Sequence, residues 1–461
     1  MKKIIYIAAM LLFATSCLNI KLEDQFSDPD AITSVTTARE LLSSAYNDLP
    51  RHQMELSVLA DDFVPTVLST KNADLLNLYK WQDKAISELS EFMWNEYYMT
   101  IAVVNALIPR LDYIEVEDEA EQLEVDKIRS EGLALKAMCY FDLIRLYAPV
   151  WSEANAEKNA IILKDKVEFS MNPRSTLRAS IEEVMRLLDE ALKVENTDAS
   201  VFYLSTIAVK YLKAEVYLYQ HEYQKAYDEI ADYLEEGTIA WTKENYNSLW
   251  SANEAPDRIF APHIFNTFYT DLSYDVDEGD YFSLSDQINF IDEDVRKEWA
   301  QFDFEVRGTK VRQLGKYNKM FYDKTPVRYI NSLRYSGLNF IAAEALARDG
   351  KNSEAIKLMN SFLGAYGATL LDESLSGDEL IDAILTEKQK EFAGEGERYF
   401  DLKRTGKSLK IMTDYGVAVQ TEIKADDYRW LFPIPSNEYK YNDYINTEED
   451  QNPGWPIIKT Q

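Results

Sequence analysis

Apolar residues recur at three- and four-residue intervals over long stretches of this chain, and those stretches predict helices. The clearest covers 121–148. There Ile128, Leu135, Met138, Cys139, Leu143, Ile144 and Leu146 share one stripe, and Pro149 ends it. A first helix, capped by Thr36 or Thr37, runs through Ala38, Leu41, Leu42, Ala45 and Leu49 to Pro50. Another is expected over Phe92–Ile114, with Trp94, Tyr98, Ile101, Val104, Asn105 and Ile108 on one stripe and a kink at Pro109. Helical period also marks 175–194, 203–219, 222–236, 332–349, 352–364, 377–394 and 396–405. Three stretches lose it: 50–90, 237–330 (apart from Val295–Phe302) and 406–461.

The first residues follow a different logic. MKKIIYIAAMLLFATS (1–16) places Lys2 and Lys3 before a short apolar run that is too short to span a bilayer, which reads as an export signal. Cys17 follows small and polar residues, as in a bacterial lipobox, and is the expected lipidated first residue of the mature chain. Residues 17–35 then form a polar tether, and 36–461 a single body.

Composition narrows the function. Gly 15 and Pro 13 are few, which favours helices over a turn-rich β fold. Lys+Arg 49 against Asp+Glu 79 gives a net charge of -30, a surface that repels nucleic acid. Only Cys17 and Cys139 are present, and Cys139 sits within an apolar stripe as a buried thiol. His52, His221 and His263 form no zinc motif, and no cofactor is expected. The acids Asp275, Asp277, Glu278 and Asp280 could hold a structural calcium. The glycine among them stands one place early for an EF-hand, so a solvated acidic loop is the expectation. Asp61–Asp62 and Asp426–Asp427 are adjacent acids, which rarely point into one cleft as a glycosidase pair must. Glu397, Arg398, Asp401 and Arg404 have the spacing of helix-surface ion pairs, a structural role.

AEVYLYQHEYQKA (214–226) and AEALARDGKNSEA (343–355) form a repeat. Ala214, Glu215 and Ala226 match Ala343, Glu344 and Ala355 at one offset. Each reads as a helix, a short turn and a second helix, with small residues where the two approach, like a tetratricopeptide (TPR) unit.

Six blocks in order resemble the SusD/RagB family. They are Cys17 with the helix at 38–49; WNEYYMTIAVVNALI (94–108); RSEGLALKAMCYFDLIRLYAPV (129–150); 335–363; LTEKQKEFAGEGERYFDLKRTGKSL (385–409); and FPIPSNEYKYN through QNPGW (432–455). Lys136 and Lys388 stand where arginine is usual, and Ala148 where glycine is. The resemblance implies a mainly α fold. TPR-like helix pairs, about 92–236 and 332–405, form a scaffold packed against a less regular, loop-rich region with small β elements. It also implies a lipid-anchored outer-membrane protein, exposed at the cell surface, that captures nutrient and acts as the lid of a SusC-like TonB-dependent transporter.

A sugar presents a C–H face that packs on aromatic rings while nearby polar groups bind its hydroxyls. An oligosaccharide site is therefore expected on Tyr79, Trp81, Phe268, Tyr269, Tyr274 and Tyr281, centred on Trp81, with Asp61 as a polar partner. Asn77, Asn266 and Asp271 are further polar partners, and Phe265 and Phe282 further rings. No catalysis is expected. Peptide or glycopeptide cargo is the alternative within the family, and a lipid-anchored glycosidase the alternative outside it.

Overall fold

The computed structural model describes residues 32–66, 69, 73–167, 171–197, 200–235, 239–264, 282–306, 308–316, 329–413 and 418–457. The export signal, Cys17 and most of the tether lie outside them.

Helix α1 (Val35–Asn47) is capped by Ser34, whose hydroxyl accepts the Thr37 amide at 3.2 Å, rather than by Thr36 or Thr37 themselves. The short helix α2 (Gln53–Leu59), strand β1 (Phe63–Pro65) and helix α3 (Ala73–Tyr79) occupy the stretch read as irregular. Helix α4 (Asp83–Leu107) begins well before Phe92, because Ile86, Leu89 and Met93 continue its buried stripe. Pro109 opens a 3-10 helix, Ile108–Tyr113, instead of kinking a continuous one. Helix α5 (Glu119–Tyr147) is capped by Asp118, which accepts two amides at 2.9 Å, and ends before Pro149.

Helices α6 (Leu177–Ala191), α7 (Thr206–Tyr219) and α8 (Tyr223–Ile230) complete the first run. Helix α9 (Lys243–Ser251) falls within the stretch that lacked a clear period, and the one-turn α10 (Lys297–Ala300) within Val295–Phe302, where a helical pattern is expected. The second run is α11 (Tyr335–Arg348), α12 (Asn352–Ala365), α13 (Gly377–Glu391) and α14 (Glu397–Thr405). The repeat is real in three dimensions: α7–α8 and α11–α12 are hairpins, α8 packs on α11, and Ala214, Ala226, Ala343 and Ala355 are all fully buried. No helix among the described residues is long and apolar enough to cross a membrane.

The small β elements pair two by two. β1 runs antiparallel to β4 (Phe282–Leu284), with Pro65 opposite Phe282. β2 (Arg258–Phe260) pairs with β8 (Leu333–Arg334), and β3 (His263–Ile264) with β7 (Tyr329–Ile330). β5 (Gln301–Val306) and β6 (Thr309–Leu314) form a hairpin, as do β9 (Leu409–Thr413) and β10 (Ala418–Ile423). The tail, with its short helix α15 (Ser436–Tyr441), returns across α4 and α5. Ser90 donates to the Pro433 carbonyl at 2.7 Å, Trp94 to Glu438 at 3.0 Å, and Asn452 to the Tyr147 carbonyl at 2.9 Å.

Candidate functional site

Three of the residues expected to meet ligand are committed elsewhere. Trp81 is fully buried; its indole N–H donates to the Leu59 carbonyl at 2.9 Å, and its ring lies 4.6 Å from Trp430. Tyr79 is 3% exposed, and its hydroxyl accepts the Met412 amide at 2.8 Å. Asp61 takes a two-pronged ion pair from Arg398, at 2.7 and 3.1 Å, and a third hydrogen bond from Gln389 at 2.9 Å. The expectation of a platform centred on Trp81 is thus corrected. An aromatic ring in a non-periodic stretch fills an irregular core as readily as it meets solvent. Phe282 is buried as well, in β4. Phe268, Tyr269, Tyr274 and Tyr281 lie outside the described residues, as do Phe265, Asn266, Asp271 and the acids of 273–280.

What the structure does bring together is the framework of the two nominated stretches. The Pro65–Phe282 pairing sets the end of β1 beside the residue that follows Tyr281. Tyr79 meets Phe282 edge-on, with centroids 6.1 Å apart. Ile264, which precedes 265–281, pairs with Tyr329, which follows 317–328. Ser283, just beyond Tyr281, bonds the Arg312 backbone on β6 at 3.2 and 3.3 Å. Residues 265–281 thus run between β3 and β4 and residues 317–328 between β6 and β7; β3 pairs with β7, Ser283 of β4 bonds β6, and Tyr79 packs on Phe282 of β4.

The acidic and basic motif residues form a second centre, between the two helical runs. Arg404 reaches both oxygens of Glu344, at 2.6 and 2.5 Å, and Asp401 at 2.6 Å. Lys388 bridges Glu397 and Asp401 at 3.1 Å each. These pairs are buried rather than on a helix surface. The two cations hold the Asp401 carboxyl below the usual range against the cost of burial. Beside them Arg334 joins Asp257, Glu391 and Glu395, at 2.9, 2.7 and 3.0 Å. Lys136, from an earlier block, donates to Asn105 of α4 at 2.7 Å. The motif letters thus mark the joints of the fold.

A cleft of about 70 Å³ opens along this centre, between α2, α5, α7, β3 and the start of α14. Glu215, His52 and His263 line it, and sequence reasoning assigned none of them a role there. The available signal was the repeat. Glu215 matches Glu344, and both turn inward toward an arginine, Arg145 at 3.8 Å and Arg404 at 2.5 Å. Among the described residues no cluster of three or more His, Cys, Asp or Glu side chains could hold a metal ion.

Comparison with known proteins fits this architecture. A family model described as the SusD family matches residues 292–455. A second, described as starch-binding associating with outer membrane, matches 21–218. The chain belongs to the SusD family. The SusD-like protein P38 of Formosa agariphila is 23% identical over 86% of this chain and 89% of its own length. Among solved structures, a SusD-like carbohydrate binding protein from Bacteroides vulgatus superposes with a TM-score of 0.77 at 16% identity, covering 93% of this chain and 100% of that one. Surface glycan-binding protein A from Bacteroides fluxus does so with a TM-score of 0.68 at 19% identity, covering 92% and 100%. These similarities establish the mainly helical SusD-like fold.

Proposed function

We propose that this chain is a cell-surface lipoprotein, anchored through Cys17, that captures oligosaccharide and delivers it to a SusC-like TonB-dependent transporter, for which it acts as the lid. It binds without turnover. Family membership supports the glycan class, and so do the names of the relatives from Bacteroides vulgatus and Bacteroides fluxus. The observation that carries the site is the shared strand framework around 265–281. In this reading Phe268, Tyr269, Tyr274 and Tyr281 are the contact rings, and Tyr79 and Trp81, both buried, are not. The glycosidase reading loses ground, since Asp61 is held by Arg398 and Asp427 by Arg429 at 2.7 Å.

Calorimetry against a panel of oligosaccharides and peptides tests the cargo and the site together. Tyr269→Ala with Tyr274→Ala should abolish oligosaccharide binding and leave the thermal melt in place. Undiminished binding would exclude these rings, and heat from peptides alone would exclude the glycan. Cys17→Ala should move the protein from the membrane to the soluble fraction; an unmodified mature N-terminus in the wild type would remove the anchor.

A further inference from the structure

The two hairpins of the repeat touch at their tips, where Lys351 of one turn donates to Gln224 beside the other. A groove of about 360 Å³ opens there, a volume within the range of small-molecule sites. Tyr223 enters it from the start of α8, Arg348 from the end of α11, Asn352 from the start of α12 and Asp378 from the start of α13. Ala347 and Ile381 supply apolar surface between them. Gly350 and Gly377 also line the groove, and a Cβ at either would meet nothing within 4 Å, so its walls stay open at both.

The polar groups of this groove do not consume one another. Arg348 is held through Nε, which donates to Glu344 at 2.7 Å, and its two Nη groups are unbonded among the described residues. Asp378 is exposed and forms neither a hydrogen bond nor an ion pair among those residues. The Asn352 side-chain amide is unbonded among them too, with its oxygen enclosed. A guanidinium, a carboxylate and an amide thus offer donors and acceptors together. The guanidinium carbon of Arg348 lies 5.9 Å from the centre of the Tyr223 ring, so charge and ring are neighbours. His221 adds an independent observation. Its ring centre is 5.9 Å from that of Tyr223, with the planes 31° apart, and its backbone is left-handed at φ 65°. Gly350, its counterpart in the repeat, takes φ 79° without the cost of a side chain. Retained strain of this kind gathers at ligand sites.

We propose that this groove is a second sugar site, taking one pyranose ring of a neutral glycan. The C–H face of the sugar packs on Tyr223 and the apolar wall, and its hydroxyls, each both donor and acceptor, meet Arg348, Asn352 and Asp378. An anion would be repelled by Asp378 and a cation by Arg348, whereas a neutral ring of hydroxyls satisfies both. None of these residues belongs to 265–281, so the groove stands or falls apart from the rings assigned there.

The probes are the methyl pyranosides of glucose, galactose, mannose and xylose. Each is titrated into the intact mature protein carrying Tyr269→Ala with Tyr274→Ala, and binding is followed by saturation-transfer NMR. Sorbitol, which has the hydroxyls but no ring, is the control. Saturable binding of at least one pyranoside, weakened at least tenfold by Asp378→Ala, is the expected result. Asp378 is exposed and without a partner among the described residues, so its removal leaves the fold in place. No binding by any of the four, equal binding of sorbitol, or unchanged affinity in Asp378→Ala would overturn the proposal. Should the double-alanine background fail to fold, the wild type is compared with Asp378→Ala directly, and identical titrations would overturn it as well.

Discussion

Trp81 and His221 are the non-glycine residues with positive φ among the described residues, at 52° and 65°. Both sit where a helix ends in a left-handed residue. His221 donates to the Leu218 carbonyl at 3.1 Å and Glu222 to Tyr217 at 2.9 Å. Gly350 and Lys351 repeat the pattern on Ala347 and Leu346, at 3.1 and 2.9 Å, and Trp81 and Gln82 on Leu78 and Asn77, at 2.8 and 3.0 Å. His221 and Gly350 occupy the same place in the repeat. A side chain in this conformation costs about 1–2 kcal/mol, which glycine avoids. His221 is exposed, so His221→Gly should raise stability by about 0.5–1 kcal/mol, part of the relief being lost to the freer unfolded chain. A denaturant midpoint that falls would refute this. Trp81 is the opposite case, because its strain is held by burial against Trp430 and Tyr399. Trp81→Ala should cost about 3–5 kcal/mol in the same titration, as removal of a core ring does.

The residues that lead into strand β1 meet the α13–α14 corner through two carboxyl groups, Asp61 on Arg398 and Gln389 and Asp62 on Gln389 and Gly394. Asp62 is fully buried, and it accepts the Gly394 amide at 3.1 Å and the Gln389 amide at 3.2 Å. Burial first, and the neighbouring Asp61 second, raise its pKa to about 7. The folded protein therefore holds this proton at pH values where the unfolded chain has released it. The contribution to stability is complete below about pH 4 and is lost as pH rises to about 7. Asp62→Asn keeps the shape and stays neutral. Relative to the wild type it should gain stability between about pH 4 and pH 7.5, by up to roughly 4 kcal/mol at one pH unit per 1.36 kcal/mol. Parallel urea titrations with no such divergence would mean that Asp62 is not the proton holder. This corner also shows where sequence was readable. Helices α5, α11 and α12 carry several turns of one apolar stripe, so their spacing identifies them. Helices α2 and α3 have seven residues each, too few turns for a period to emerge. The pairing of β1 with β4 joins residues more than two hundred positions apart, and no local pattern records it. For the same reason Trp81 and Tyr79 could be recognised as important rings, but not as buried ones.

At the scale of the molecule, the order of elements along the chain differs from their order in space. The two family matches, at 21–218 and 292–455, might be taken for two units. The contacts argue otherwise. Lys403 of the second run donates to the Leu146 carbonyl at the end of α5 at 3.0 Å. Burial lowers the Lys403 pKa to about 7, and the carbonyl groups at that helix end hold its ammonium. Phe432 donates its amide to the same Leu146 carbonyl at 3.1 Å, and its ring meets Tyr147 edge-on at 5.9 Å. Arg174 reaches across to the Asp450 carbonyl at 2.8 Å and to Asn452 at 2.9 Å. A chain cut between the runs would leave Tyr147, Trp94 and the end of α5 uncovered in one piece, and Phe432 and Lys403 without a partner in the other. Each piece would then expose apolar surface and unsatisfied polar groups together, which costs more than either alone. Residues 32–291 and 292–457, expressed separately, should each fail to give a cooperative melt. Mixed during refolding, they should recover one transition monitored alike by far-UV and near-UV circular dichroism. Two independent transitions in the intact protein, or a sharp melt from either piece alone, would show that the halves fold as separate domains.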